Sequence, residues 1–180
     1  GDNSLAAVGS TGALVNLLVN LFVGLSVGTN VVAANFYGSG KKTEISETVH
    51  TAILISIFSG ILLTIVGVIG AKPILILMET PPEVLSKATL YLQVYFAGIT
   101  STMVYNFASA LLRAKGDTKR PLYYLLFSGI INVILNLIFV IFLKMDVAGV
   151  ALATVIAQTI SAILVVLCLI REDDEFKLVL

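Results

Sequence analysis

Residues 111–122 read LLRAKGDTKRPL, a short basic segment set between two long apolar segments. Its basic residues are Arg113, Lys115, Lys119 and Arg120. The charge-free intervals 88–112 and 121–143 lie on either side. A bilayer core ~30 Å thick needs about 20 apolar residues of helix, and both intervals reach that length. The stretch therefore predicts a polar turn between two membrane-spanning helices.

The composition of the whole chain supports a membrane protein. Of 180 residues, 58% are apolar and 12% are charged, about half the ~25% charged content of a soluble domain. The mean hydropathy is +1.02. Zero net charge argues against a nucleic-acid partner, and a single Cys and a single His argue against a disulfide framework or a metal cluster.

The charged residues divide the chain into five long apolar intervals. Because a helix satisfies its own backbone hydrogen bonds in hydrocarbon, we predict an all-α, polytopic transmembrane helical bundle. The predicted spans are residues 5–36, 48–71, 82–112, 121–143 and 147–170. We interpret the apolar segment 73–78 as a re-entrant or interfacial piece, too short to span.

The distribution of cations predicts the orientation. Five spans place the turn around Ser39, the turn around Gly116 and the tail after Ile170 on one side, with eight Lys and Arg residues against three on the other. The positive-inside rule assigns that first side to the cytoplasm. The N-terminus then lies outside, so we expect a preceding helix and a six-helix unit.

Local patterns predict how two helices begin and pack. Thr80 is a candidate cap for the third helix, with Pro81 in its first turn and Glu83 completing a capping box. Gly24 and Gly28 in the first helix form a small-xxx-small face suited to close helix packing.

Polar side chains inside the spans are the candidate functional residues, because polar groups in hydrocarbon need partners or water. Two pairs are spaced four apart and share a helix face, Asn16 with Asn20 and Asn132 with Asn136. The other candidates are Gln93, Asn106, Thr154, Gln158 and Thr159. Such residues either join helices by hydrogen bonds or line a hydrated cavity that binds ions or substrate.

The remaining chemistry-bearing residues suggest no reaction. No Asp, Glu, Lys or Arg lies inside the charge-free intervals of the predicted spans, which for the third span is residues 88–112. Any titrating carboxylate that couples transport to ions is therefore expected outside this chain. No nucleophile–base arrangement is visible, which argues against an enzyme. His50 is interpreted as a bystander, Cys168 as a packing residue, and residues 171–176 as an ordinary charged exit from the membrane.

Several motifs together resemble a known family. They are LAAVGSTGALVNL (5–17), GLSVGTNVVAANFYGSGK (24–41), PPEVLSKATLYLQVYFAG (81–98), ALLRAKGDTKRPL (110–122), and NVILNLIFV (132–140) followed by DVAGVALATVIAQ (146–158). In this order and spacing they resemble the multidrug and toxic compound extrusion (MATE) antiporters.

This resemblance implies a fold and an activity. Family members have twelve helices in two six-helix lobes, and this chain is similar to helices two to six of the N-terminal lobe. The implied mechanism is alternating access, in which inward flow of H⁺ or Na⁺ drives export of organic cations. The implied partners are the bilayer, small organic cations, a first helix and a C-terminal lobe, with no cofactor beyond the coupling ion and no bound metal.

The resemblance also implies site residues. Some members have an Asn-xxx-Asp pair on the fifth helix, an Asn on the fourth and a Thr on the sixth. Asn132 matches the first member of the pair, and Asn136 stands where the Asp would be. Asn106 and Thr154 match the other two positions. The departure at Asn136 puts proton coupling through that position in doubt.

The leading hypothesis is therefore an ion-coupled cation exporter of the cytoplasmic membrane. A lipid-linked sugar flippase of related architecture is a second hypothesis, although such proteins tend to carry cations in the cavity and none is present here. A structural membrane subunit without a cavity is the third. Such a subunit should tolerate Leu at Asn132 and Asn136, whereas a carrier should lose transport.

Overall fold

The computed structural model describes the backbone of residues 2–180 and the side chains of residue 13 and residues 16–180. Its helices are α1 (Asp2–Gly38), α2 (Lys42–Leu77), α3 (Pro82–Ala97), α4 (Ile99–Ala114), α5 (Lys119–Leu137) and α6 (Val147–Ile170). A π-helical turn, Ile138–Phe142, extends α5. The described residues contain no strand, which confirms the all-α prediction.

Helix α4 is the centre of the bundle. It packs against α1, α2 and α6, and ten of its sixteen residues are buried. Helix α3 packs on α2 and α6, whereas α5 packs mainly along α6. Large apolar side chains on the outer faces of α1, α2 and α5 are exposed, as expected where lipid and not water surrounds a helix.

Within the described residues, four helical segments are long and apolar enough to cross a membrane: Asn16–Gly38, Lys42–Leu77, Lys119–Phe142 and Val147–Ile170. The interpretation of residues 73–78 as a separate re-entrant piece is wrong, because α2 continues through Pro73 to Leu77. Pro lacks the donor for one helical hydrogen bond, but such losses are tolerated in membrane helices.

The third predicted span, residues 82–112, is two helices rather than one. Helices α3 and α4 have 16 residues each and are separated at Gly98, where the backbone N–H donates to the Tyr95 carbonyl at 3.1 Å. A Cβ atom at Gly98 would lie 2.5 Å from Cγ2 of Val155, so this glycine lets the junction approach α6 closely. The apolar interval in the sequence did not predict this break, which coincides with a close tertiary approach to α6.

The predicted capping box at the start of α3 does not form. The N-cap is Pro81, Pro82 occupies the first helical position, and no side chain caps the helix. Thr80 Oγ1 is buried without a hydrogen-bond partner among the described residues. The two consecutive prolines shift the helix start by one residue, which moves Thr80 out of capping position.

The loops gather at two ends of the bundle as the charge pattern requires. At one end the tail contacts the other two turns: Glu172 pairs with Lys115, and the Phe176 ring packs edge-on against Tyr37 with centroids 5.6 Å apart. At the opposite end Lys87 pairs with Asp146 at 2.5 Å. The Ser39 and Gly116 turns therefore lie at the same end, and α3 and α4 together run from one end to the other.

Candidate functional site

One group of polar side chains joins neighbouring helices. Asn30 Nδ2 donates to the Ala110 carbonyl at 3.0 Å, linking α1 to α4. Gln93 Nε2 donates to the Val68 carbonyl at 3.2 Å, linking α3 to α2. In the same way Thr159 meets Ser101 at 3.0 Å between α6 and α4. Gln93 and Thr159 are predicted candidates, and these bonds give both of them a structural role. Asn30 was not among the predicted candidates.

A second group makes its hydrogen bonds within its own helix. Asn106 Nδ2 donates to the Thr102 carbonyl at 2.8 Å, and Thr154 Oγ1 donates to the Val150 carbonyl at 3.1 Å. Both side chains are half-buried. Neither bond joins two helices, and the side-chain oxygens of both residues keep acceptor capacity for a ligand or water.

The Asn132–Asn136 pair on α5 has the most distinctive geometry. Asn136 Nδ2 donates to Asn132 Oδ1 at 2.8 Å, and both residues are half-buried. Asn136 Oδ1 is buried and accepts no hydrogen bond from any described residue. A buried amide oxygen without a donor costs free energy, which singles out Asn136 among the amides described.

The backbone changes its winding directly after this pair. Residues Ile138–Phe142 form a π-helical turn, and the Leu143 N–H donates to the Ile138 carbonyl at 3.0 Å. Gly149 at the start of α6 packs against it, because a Cβ there would lie 3.2 Å from the Cβ of Phe139. π-Helical geometry is rare and is often found at functional sites, and here it forms the C-terminal end of the helix that carries the asparagine pair.

The predicted site residues are only partly brought together. Helix α6, which carries Thr154, packs against both α4 and α5. Within the described residues no hydrogen bond joins Asn106 or Thr154 to the asparagine pair. Asn16 and Asn20 on α1 are exposed, and Gln158 is half-buried with no side-chain hydrogen bond inside the described part of the chain.

The region around the asparagine pair is uncharged. Between Pro121 and Leu143 the sequence has no Asp, Glu, Lys or Arg. Among the described residues no group of three or more His, Cys, Asp or Glu side chains could hold a metal ion. The site therefore offers neutral amide and hydroxyl groups, which can orient a ligand but cannot themselves take up a proton near neutral pH.

The charged tail is an organised network, not an ordinary exit from the membrane. Glu172 is buried and receives Arg120 Nη1 on Oε1 at 2.6 Å and Lys115 on Oε2. Lys115 also pairs with Asp174, and Arg120 pairs with Asp117. This network ties the tail to the turn between α4 and α5.

Two carboxyl groups in this network have perturbed acidity. Burial alone would raise the pKa of Glu172, but hydrogen bonds from Lys115 and Arg120 outweigh it and hold that pKa below its ordinary value. Burial would also raise the pKa of Asp117, but the hydrogen bonds from Arg120 outweigh burial and lower that pKa. Both carboxylates are therefore ionised partners at neutral pH.

His50 also holds the tail, so its interpretation as a bystander is wrong. Its Nδ1 lies 2.7 Å from the Ser46 carbonyl oxygen, and its Nε2 accepts the Val179 backbone N–H at 3.1 Å. A sequence separation of 129 residues hides this contact from any local pattern. Cys168 is buried in the core, as predicted.

The predicted packing face on α1 is not used within the described chain. A Cβ atom added at Gly24 or Gly28 would meet no other atom within 4 Å. The interpretation of these glycines as a close helix contact is therefore wrong for the described residues. Close contacts occur on α2 instead, where a Cβ at Gly60 would lie 2.6 Å from the Thr100 Cα.

Comparison with known proteins gives a consistent result. The MatE family profile matches residues 1–138. The probable multidrug resistance protein YoeA of Bacillus subtilis (strain 168) is 30% identical over 176 residues, which are 96% of this chain and 38% of YoeA. The chain thus spans about two-fifths of that relative.

Solved structures agree with this match. The outward-facing conformation of a multidrug resistance MATE family transporter has a TM-score of 0.90 and 25% identity, covering 100% of this chain and 40% of that one. The inward-facing conformation gives a TM-score of 0.87 and 26% identity, with coverage of 98% and 40%. From the family match, the helical fold and the membrane-spanning helices, the chain belongs to the MATE family of membrane transporters.

Proposed function

We propose that this chain forms most of the N-terminal lobe of an antiporter that exports organic cations from the cell. Relatives of the same family are named as probable multidrug resistance proteins, which supports drug efflux as the activity. The observation that carries a transport role for this part of the protein is the asparagine pair. Its unsatisfied Asn136 oxygen faces no donor in the described chain.

Alternating access is supported by the similarity of this one chain to both transport states. It fits the inward-facing and the outward-facing relatives with TM-scores of 0.87 and 0.90. A lobe that superimposes on both states needs little internal rearrangement, as expected when two rigid lobes rock about a central cavity. The second lobe and a first helix are then partners supplied by the rest of the transporter.

The coupling ion is H⁺ or Na⁺, and its binding carboxylate lies outside this chain in our proposal. The described spans place no Asp or Glu beside Asn132 or Asn136, and a neutral amide does not change charge when a proton passes. This chain would instead supply neutral ligands that orient the cargo or a hydrated ion. The proposed location is the cytoplasmic membrane.

Reconstitution tests the antiport proposal. The full-length transporter is placed in liposomes loaded with a fluorescent organic cation, and either an H⁺ or a Na⁺ gradient is imposed. We expect dye movement against its own gradient with one of the two ions and none when the gradient is collapsed by an ionophore. Dye movement independent of both gradients would contradict the proposal.

A further inference from the structure

A groove lies between α1 and α2, near the end of the bundle where the cationic turns gather. Its volume is about 340 Å³, within the range of small-ligand sites. All of its lining residues belong to α1 and α2. Its lining residues Val32 and Ile55 are each 45% exposed, whereas Ala33 and Val49 beside them face the core and are fully buried.

One of the residues that line the groove from α1 is a glycine. Gly28 lines the groove, and a Cβ atom there would meet nothing within 4 Å. Below the mouth the wall is apolar along Val32 and Ile55. The hydroxyl of Thr51 also lines it and makes no hydrogen bond within the described chain. The groove therefore combines an apolar wall with a hydroxyl group that is available for a hydrogen bond near the membrane surface.

Both signs of charge are present at the mouth. Glu44 and Glu47 line the groove, and neither forms an ion pair with any described residue. Lys41 places its Nζ 5.9 Å from the centroid of the Phe36 ring, which also lines the groove. Along α2, Ile55 is eleven residues beyond Glu44, or about 16 Å at 1.5 Å per residue. The charges thus stand at headgroup depth and the apolar wall at acyl-chain depth.

This arrangement selects among the amphiphiles of a membrane. An anionic headgroup would be repelled by the two carboxylates. An amphiphile with only a positive charge would be attracted to the carboxylates but would leave Lys41 without a partner. A zwitterionic headgroup with a primary ammonium satisfies both, because its ammonium donates to carboxylates while its phosphate accepts from the lysine.

We propose that the groove is a binding site for a phosphatidylethanolamine-type lipid. Its ammonium contacts Glu44 and Glu47, its phosphate contacts Lys41, and one acyl chain lies along Val32 and Ile55. Gly28 leaves room for that chain. The site is separate from the asparagine pair on α5, so lipid binding is measured without reference to transport.

Native mass spectrometry of the full-length transporter tests this site. The detergent-solubilised protein is titrated with phosphatidylethanolamine, phosphatidylglycerol and a single-chain quaternary ammonium amphiphile. We expect phosphatidylethanolamine to bind most tightly, and Glu44→Gln with Glu47→Gln to lower that affinity about tenfold by removing charge-assisted hydrogen bonds. The double variant Glu79→Gln with Glu83→Gln makes the same charge change at the opposite end and should leave the affinity unchanged.

A steric variant provides an independent measurement. A Cβ atom at Gly28 or at Gly129 would meet nothing within 4 Å, so either position accepts the first atom of a side chain. Gly28→Phe adds a ring beside the groove and should abolish the preference for phosphatidylethanolamine, whereas Gly129→Phe on α5 should preserve it. Wild-type affinity in the Glu44/Glu47 double variant would overturn the proposal. So would equal affinity of the wild-type protein for phosphatidylglycerol or for the single-chain cation.

Discussion

Asn136 Nδ2 donates to Asn132 Oδ1 at 2.8 Å, and the Asn136 oxygen is left buried without a donor in the described chain. This bond fixes the orientation of both amides along one face of α5. The pair differs in this respect from Asn30 and Gln93, whose amides donate to backbone carbonyls of neighbouring helices. Substitution of the amides that join helices should therefore have a different effect from substitution of the Asn132–Asn136 pair.

Replacing Asn30 or Gln93 with Leu should reduce stability rather than the turnover of folded transporter. Each change removes an interhelical hydrogen bond worth about 0.6–2 kcal/mol in a membrane protein. The apparent Tm of the detergent-solubilised full-length protein should fall, while dye transport per folded molecule stays near the wild-type value. Loss of transport at unchanged Tm would assign these residues to the cavity instead.

Two glycines on different helices should give opposite stability effects when replaced by Ala. At Gly60 the added Cβ would lie 2.6 Å from the Thr100 Cα, so α2 and α4 must separate, at a cost of about 1–3 kcal/mol. At Gly129 the Cβ meets nothing within 4 Å, and Ala in a helix is favoured over Gly by about 0.5–1 kcal/mol. Thermal unfolding of the two variants checks the sign of each change.

The tail network should weaken in acid. Because the pKa of Glu172 is lowered in the folded state, its contribution is complete above its unfolded pKa of about 4.3 and is lost as pH falls through the folded value. Glu172→Gln should reduce the free energy of unfolding by about 1–3 kcal/mol at pH 7. The variant should also show less acid-dependent loss of Tm than the wild type.

Glu175→Gln serves as the matched control for that experiment, because Glu175 forms no ion pair within the described chain. A Glu172→Gln protein with the wild-type acid profile would show that the network does not hold the tail.

Asn136→Asp should make transport depend on pH. A half-buried carboxyl in an apolar helix has a raised pKa, so its charge would change closer to neutrality than that of an exposed Asp. The rate of dye export, measured across a pH series with the driving gradient held constant, should acquire a titration that Asn136→Gln lacks. An unchanged pH profile would place residue 136 away from the transport route.

Long apolar intervals and their basic turns were sufficient to predict the helical membrane fold, since each interval must satisfy its backbone bonds internally. They could not predict the break at Gly98, because it depends on Val155 approaching from α6. The tail was misread for a similar reason: Glu172 looks like a solvated charge until Lys115 and Arg120 are brought beside it. For the candidate site, polar residue types in the spans supplied the list of candidates. Only the geometry distinguished amides that join helices from the Asn132–Asn136 pair.

The transport rate of the double variant Asn132→Leu with Asn136→Leu decides whether this asparagine pair takes part in transport. Export of a cationic dye is measured in liposomes containing the full-length transporter, normalised to correctly folded protein, with Asn30→Leu as the comparison. We predict at least a tenfold lower export rate for the double variant, which corresponds to an activation free energy higher by about 1.4 kcal/mol or more. Membrane insertion and Tm should be retained. Wild-type export by the double variant would contradict a transport role for this pair.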